Sequence, residues 1–174
     1  MKLLQVLHHC DLSTFGWCLR RKSLPTLTRA SRKISATADG HLYILAILLL
    51  ALTEFSDWSL CLLLALLLER PLYALLKSQF KRNRPPQAIP GFQSVIQPSD
   101  QFSFPSGHTS AAFLFATLAF LLLPSSGWLL FPWAGSVAAS RVLLGVHFPT
   151  DTLAGALLGC TMALLSFELL NPAL

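Results

Sequence analysis

Five long apolar runs constrain the fold of this chain more than any other feature of its sequence. They cover residues 42–53, 58–68, 110–123, 127–139 and 152–167. Because 53% of the residues are hydrophobic and only 12% are charged, a soluble domain of this size would lack polar surface. We interpret the runs as membrane spans, extended by flanking residues to the roughly 20 residues that cross a hydrocarbon core. The alternative is a soluble protein in which they are buried helices.

The N-terminal 40 residues form an amphipathic and basic segment. Apolar residues recur between positions 3 and 19, which favours a helix lying in the membrane interface, with a short sixth span as the alternative. We expect no cleavable signal peptide, because His8, His9 and Asp11 interrupt the apolar residues. The two histidines resemble a metal-binding pair, but the sequence places no third ligand beside them. The apolar residues of this pattern are Leu3, Leu4, Leu7, Leu12, Phe15 and Leu19.

Positive charge is concentrated in two segments, residues 20–33 and residues 77–84. The chain carries a formal net charge of +5. In so hydrophobic a chain, such clusters favour contact with anionic lipid over nucleic acid. We therefore predict the bilayer and a lipid as partners and no nucleic acid, and we leave the oligomeric state open.

Turn-forming residues divide the chain into predicted helices. Residues 78–107 are rich in proline and glycine, which indicates a structured loop or short interfacial helices. Pro71 predicts a kink in the second helix, or its exit from the membrane. The class we predict is all-α, a single domain of 174 residues forming a polytopic transmembrane bundle. Its five spans cover approximately residues 41–55, 58–77, 108–123, 128–144 and 151–170.

Alternate crossing of the membrane by these helices brings distant polar segments together. Counted from the basic segment, residues 20–41, 78–107 and 145–150 lie on the same side. The cations of those segments suit phosphate chemistry, because a phosphoryl group in transfer carries charge on its equatorial oxygens. Arg84 and Arg141 can bind oxygens in bidentate fashion, and Lys77 supplies a point charge. Three segments far apart in sequence can therefore form one anion site.

The third predicted span begins with residues that suit an anion. Ser106 can donate its hydroxyl, and the backbone N–H groups around Gly107 and His108 have no helical partner because a helix begins there. Glycine also lets the backbone approach a ligand closely. The start of this helix is therefore predicted to bind phosphate.

A pair of histidines permits covalent catalysis. One imidazole can attack phosphorus while the other protonates the leaving oxygen. Asp151 follows His147 by four residues and can hold the attacking ring, although Pro149 makes a simple helical pairing doubtful and favours a contact across a turn. Asp151 and Thr150 can also cap the helix that follows. Each feature alone has a structural explanation, and only their joint occurrence in order is specific.

The sequence resembles the type 2 phosphatidic acid phosphatase superfamily of integral membrane lipid phosphatases. The resemblance covers about residues 77–151 and rests on three motifs: Lys77 with Arg84-Pro85 seven residues on, Pro105-Ser106-Gly107-His108, and Ser140-Arg141 followed by His147 and Asp151.

The resemblance implies a role for each motif residue. His147 would be the nucleophile that forms a phosphohistidine, Asp151 would orient it, and His108 would be the general acid. The family needs no metal or cofactor, and its bundle usually has six spans. The residues implied to bind phosphate are Lys77, Arg84, Ser106, Gly107, His108 and Arg141.

The function we predict is a membrane lipid phosphate or pyrophosphate phosphatase. Candidate substrates are undecaprenyl pyrophosphate, phosphatidylglycerol phosphate and phosphatidic acid. The alternatives are a phosphotransferase that uses the same phosphohistidine, and a lipid phosphate binder without turnover. Soluble vanadate-dependent haloperoxidases share the constellation, but the apolar runs argue against them.

The expected location is the inner membrane of a bacterium. Bacterial members of the family generally work on the outer face, so the resemblance implies an outward-facing site. The basic segment 20–33 argues against this orientation, because positively charged loops favour the cytoplasmic side.

Overall fold

Helices make up the regular structure of the described chain. The computed structural model describes residues 10–16, 20, 25–98 and 100–170, and in these ranges it contains no strand. Residues 10–16 are helical, and a 3₁₀ turn, Pro124–Ser126, joins α5 to α6. The α-helices beyond residue 24 are α1 (Pro25–Ala36), α2 (Gly40–Ala51), α3 (Ser56–Phe80), α4 (Pro85–Ala88), α5 (Gly107–Leu122), α6 (Gly127–Leu143) and α7 (Pro149–Leu170).

All five apolar segments are helices, namely α2, α3, α5, α6 and α7. The all-α class is therefore confirmed. Helix α3 continues through Pro71 to Phe80, so the proline does not end it. Helix α1 was missed, because its polar composition was interpreted as a connection. It is held by packing, since Ser31 and Ser35 are buried and the helix lies against α6.

Within the described residues, two helical stretches are each long and apolar enough to cross a membrane, Ser56–Ala88 and Pro149–Leu170. Helices α1 and α2 pass the same test only as a pair, with a bend of 42° between them. Helix α5 is apolar but has only 16 residues. Length and composition thus support two or three spans, and the number five stays a prediction.

Helix α5 lies at the centre of the bundle, against α3, α6 and α7. Two glycines bring α7 close to it. A Cβ at Gly155 would lie 2.5 Å from the carbonyl oxygen of Ser106, and one at Gly159 would lie 2.1 Å from that of Ser110. The resulting approach lets the backbone N–H of Ser106 donate to the carbonyl of Asp151 over 2.9 Å. Close helix packing therefore joins two of the three motifs.

The N-terminal helical residues pack onto the loops between the later helices. Phe15 is buried, and its ring centroid lies 5.0 Å from that of Phe92 and 5.5 Å from that of Phe148. Asp11 is buried beside it. Of the helix predicted over residues 3–19, only residues 10–16 are described, which include Leu12 and Phe15. The rest of that prediction and the histidine pair His8 and His9 fall outside the described residues.

Candidate active site

A cavity of about 220 Å³ lies where the three motif segments meet. The segments that we expect on one membrane side supply its wall, although they are far apart along the chain. The cavity is lined, among others, by Arg84, Asp100, Gly107, His108, Arg141 and His147.

His147 lies in the short reversal between α6 and α7. Nη1 of Arg84 is 3.3 Å from Nε2 of His147. A guanidinium only donates, so Nε2 must be the accepting nitrogen and the ring proton belongs on Nδ1. Burial lowers the pKa of His147 to about 4; Asp151 opposes this, while Arg84 and Arg141 add to it. Burial therefore favours the neutral ring at pH 7, and its Nε2 lone pair accepts from Arg84.

Asp151 lies beside this histidine at the start of α7. Its Oδ2 is 3.8 Å from Nδ1 of His147, which is longer than a hydrogen bond. The same oxygen accepts from the backbone N–H of Phe148 over 2.7 Å. The contact between Asp151 and His147 thus crosses the turn that contains Pro149. Nδ1 of His147 is buried and has no hydrogen-bond partner in the described part of the chain.

Arg82 binds Oδ1, the second oxygen of the Asp151 carboxylate, and was not predicted as a site residue. Its Nη1 donates to Oδ1 of Asp151 over 2.7 Å and to the hydroxyl of Thr150 over 2.6 Å. Its Nη2 donates to Asp11 over 2.6 Å. Asp11 also accepts from the backbone N–H of Thr150 over 3.0 Å. The only sequence signal was a basic residue close to Arg84, which is equally typical of a membrane-orientation signal.

Lys77 and Arg84 converge on the carboxylate of Asp100, which was also missed. Lys77 Nζ donates to Oδ2 over 2.6 Å, and Arg84 Nη2 donates to Oδ1. Burial alone would raise the pKa of Asp100, but these hydrogen bonds and charges outweigh it and lower the pKa to about 2. Arg84 is fixed further by its Nη1, which donates to the carbonyl of Val146 over 2.7 Å. The two cations therefore already hold a pair of anionic oxygens.

The start of α5 brings only part of its motif to the cavity. Ser106 is fully buried, its hydroxyl lies 2.9 Å from the hydroxyl of Thr109, and it is not among the residues that line the cavity. Gly107 does line the cavity, and a Cβ there would lie 3.1 Å from the Tyr73 ring. His108 also lines it, with Nε2 at 3.0 Å from Oδ1 of Asp39. Asp39, which precedes α2, was missed because nothing local links it to His108.

Arg141 enters the cavity from the last turn of α6. It is buried, and its Nη1 donates to the hydroxyl of Ser35 over 2.6 Å. Its Nε has no hydrogen-bond partner among the described residues. A buried guanidinium with unused donors is well suited to a phosphate oxygen.

The described residues contain no group of three or more His, Cys, Asp or Glu side chains that could hold a metal ion. The absence of a metal requirement stays a prediction from the resemblance.

Comparison with known proteins finds several curated relatives. The chain is similar to bacitracin transport permease protein BcrC of Bacillus licheniformis, with 40% identity over 84 residues, or 48% of this chain and 41% of the relative. It is 39% identical over 100 residues to a putative undecaprenyl-diphosphatase, YbjG, of Escherichia coli K12, which is 55% of this chain and 50% of the relative. The chain thus spans about half the length of these curated relatives.

A solved structure has the same fold. It is described as the first transmembrane PAP2 type phosphatidylglycerolphosphate phosphatase from Bacillus subtilis. The TM-score is 0.80 at 24% sequence identity, covering 96% of this chain and 87% of that one. This likeness supports a membrane-embedded helical fold.

The resemblance inferred from the three motifs is confirmed by the family comparison. The PAP2 superfamily matches residues 58–173, which include every motif residue and more than half of the chain. This chain therefore belongs to the PAP2 superfamily.

Proposed function

We propose that this protein hydrolyses lipid phosphates or diphosphates through a phosphohistidine formed on His147. The observation that carries the proposal is the position of that ring: it is buried at the wall of the cavity, and its Nε2 lies 3.3 Å from Nη1 of Arg84. A nucleophilic nitrogen needs a lone pair directed at the reacting atom and a proton kept on the opposite nitrogen. In His147 the contact with Arg84 keeps the proton on Nδ1, and the Nε2 lone pair becomes free for phosphorus when a phosphate oxygen takes over the Arg84 donor.

The phosphate would take the place now held by a carboxylate. Asp100 bridges Lys77 and Arg84 with its two oxygens, and a phosphoryl group presents oxygens of the same charge to the same donors. Arg141 adds a buried guanidinium with an unused Nε–H. The phosphate-binding role of Ser106 requires its hydroxyl to turn away from Thr109. Gly107 needs no such change, because it already lines the cavity.

The reaction proceeds in two displacements. Nε2 of His147 forms a bond to phosphorus, the bond to the leaving oxygen breaks, and that oxygen takes a proton from His108. His108 then removes a proton from water, whose oxygen attacks the phosphohistidine and releases inorganic phosphate. The Asp151 carboxylate, 3.8 Å from Nδ1 of His147, stabilises the charge that develops on the ring in each step.

A lipid substrate suits the position of this cavity in the bundle. Its walls come from loops, from helix ends and from Arg70 and Tyr73 within α3, while long apolar helices extend from the same elements. A headgroup can therefore bind at the polar end while its chains stay in the bilayer, in a bundle of five spans. Undecaprenyl pyrophosphate, phosphatidylglycerol phosphate and phosphatidic acid are the candidates.

We propose that the site faces outward from the inner membrane of a bacterium. Basic residues on the side of the site would favour a cytoplasmic site only where they act as membrane-orientation signals. Arg82 is engaged by Asp11 and Asp151, and Arg84 by Asp100, so neither is a simple surface charge.

The test is phosphate release by the purified protein in detergent with excess chelator. Wild type, His147→Ala and His41→Ala would be assayed on lipid phosphates and diphosphates. His41 is an exposed histidine on α2 and serves as the matched control. We expect release by wild type and by the control, and none by His147→Ala.

Two results would overturn the proposal. Wild type could be inert on the whole panel, or His147→Ala could keep full activity. A phosphorylated lipid acceptor in place of inorganic phosphate would instead identify a phosphotransferase that uses the same histidine.

A further inference from the structure

A second cavity adjoins the first. Its volume is about 340 Å³, and it lies between α1, the loop around Ile96 and the ends of α5 and α6. His108 and Arg141 line both cavities, so these two side chains form the wall that the cavities share. The second space therefore begins at His108 and Arg141, next to the site at His147.

The charged groups of the second cavity favour an anion. They are Arg32, Asp39, His108 and Arg141. Asp39 is already paired with His108. Arg32 Nη2 donates to the carbonyl of Val95 over 2.8 Å, which fixes the guanidinium without neutralising its charge. Arg141 lines the cavity as well, so two guanidinium groups are next to a ligand bound there.

The position of His108 determines which part of the substrate enters this cavity. In the proposed function this residue protonates the leaving oxygen, so the leaving group lies on its side of the site. The leaving group of a phosphate monoester is a neutral lipid alcohol, which carries no charge to pair with two guanidinium groups. The leaving group of a lipid diphosphate is itself an anionic phosphate, which can bind both guanidinium groups.

We propose that the second cavity binds the lipid-proximal phosphate of a lipid diphosphate, and that Arg32 makes the enzyme prefer diphosphates to monophosphates. This rests on the proposed function. Nε2 of His147 bonds to the distal phosphorus, and the bond from that phosphorus to the bridging oxygen breaks. The bridging oxygen keeps the electron pair and takes the proton of His108. Lipid monophosphate then leaves from Arg32, and water releases the distal phosphate from the histidine.

Arg32 lies outside the residues that match the PAP2 superfamily, which begin at residue 58. The three family motifs therefore do not specify this contact. The same helix supplies a matched control, because Arg29 is also exposed and its Nε donates to the carbonyl of Pro25 in its own helix over 3.3 Å. General attraction of α1 to anionic lipid would involve both arginines, whereas binding in the cavity would involve only Arg32.

The experiment compares farnesyl diphosphate with farnesyl monophosphate, which share one chain. Wild type, Arg32→Ala, Arg32→Lys and Arg29→Ala are assayed in detergent, with His147→Ala as the inactive reference. We expect Arg32→Ala to lower kcat/KM for the diphosphate about 10-fold or more, which is typical of losing a charge-assisted hydrogen bond, and for the monophosphate less than about threefold. Arg32→Lys should recover part of the preference, and Arg29→Ala should keep all of it.

A binding measurement makes the test independent of turnover. Inorganic pyrophosphate should raise the Tm of wild type more than inorganic phosphate does at equal concentration, and Arg32→Ala should lose that difference. Equal losses on both substrates, equal effects of the two arginine substitutions, or an unchanged pyrophosphate shift would overturn the proposal. If wild type releases no phosphate, or His147→Ala stays active, the proposed function fails instead, and the pyrophosphate shift still decides whether Arg32 binds a diphosphate.

Discussion

The two histidines of the site lie in contrasting surroundings. The side chain of His147 is 3% exposed and its neighbour Asp151 is fully buried, whereas the side chain of His108 is 27% exposed and that of Asp39 is 41% exposed. The first pair lies within the residues that match the PAP2 superfamily. In the second pair, Asp39 precedes those residues.

This difference follows from what each histidine has to do in the proposed reaction. A nucleophile must stay neutral, and burial among cations disfavours its protonated form. A general acid must regain a proton in every cycle, so it benefits from contact with water and from a nearby carboxylate. The comparison teaches that the site has a protected half around His147 and an open half around His108, and in the proposed reaction the first would hold the nucleophile and the second would release the leaving group.

The largest expected effect comes from the protected half. His147→Ala removes the nucleophile, and we expect kcat to fall by more than about 10³-fold whatever the leaving group. The measurement is steady-state phosphate release, with His41→Ala as the control. Residual turnover within about tenfold of wild type would show that the buried histidine is not the nucleophile.

His108→Ala tests the open half, and its effect should depend on the leaving group. The quantity to compare is kcat/KM, which reports the first displacement and not the later hydrolysis of the phosphohistidine, in which His108 also takes part. We expect kcat/KM to fall by about 10²–10⁴-fold on a lipid phosphate, whose alkoxide must be protonated. On p-nitrophenyl phosphate, whose leaving group needs no proton, the loss should be much smaller. Equal losses on the two substrates would contradict the assignment of His108 as the acid.

The two carboxylates give a direct comparison of the halves. Asp151→Asn should lower kcat by about 10–100-fold, as is typical when a group that orients a reactive residue is lost. It should also lower Tm, because Arg82 loses a buried partner. Asp39→Asn should cost less than about tenfold and leave Tm unchanged, because water can replace an exposed carboxylate. The comparison is wrong if Asp39→Asn has the larger effect on both quantities.

The smallest expected effect concerns the protonation of His147. Its pKa is lowered to about 4, so the ring stays neutral as the pH falls through about 6.5, where an ordinary histidine becomes half protonated. Protonation abolishes the nucleophile, and the loss should begin only near the lowered pKa. A titration of the histidine rings by NMR should place the midpoint of His147 well below about 6.5, the value of an ordinary histidine. A midpoint near about 6.5 would contradict the buried, neutral ring.

Much of the helical bundle could be predicted because its signals are local. Apolar runs predicted α2, α3, α5, α6 and α7, and alternate crossing predicted that the three motifs share a side. Helix α1 was missed because its polar residues are buried only through contact with α6.

Contacts between residues far apart in sequence could not be predicted. Arg82 meets Asp11 across 71 positions, and His108 meets Asp39 across 69. No periodicity or motif connects such pairs. The direction of the Ser106 hydroxyl was not predicted either, because it depends on the neighbouring Thr109 rather than on the motif itself.

The most direct test of the central claim is to trap the phosphoryl enzyme. Wild type, His147→Ala and His108→Ala would be mixed with a lipid phosphate labelled with ³²P, quenched in alkali, digested and analysed by mass spectrometry. We expect a labelled phosphohistidine at His147 in the wild type and no label in His147→Ala. Label on any other residue, or turnover in wild type without a labelled His147, would contradict the account.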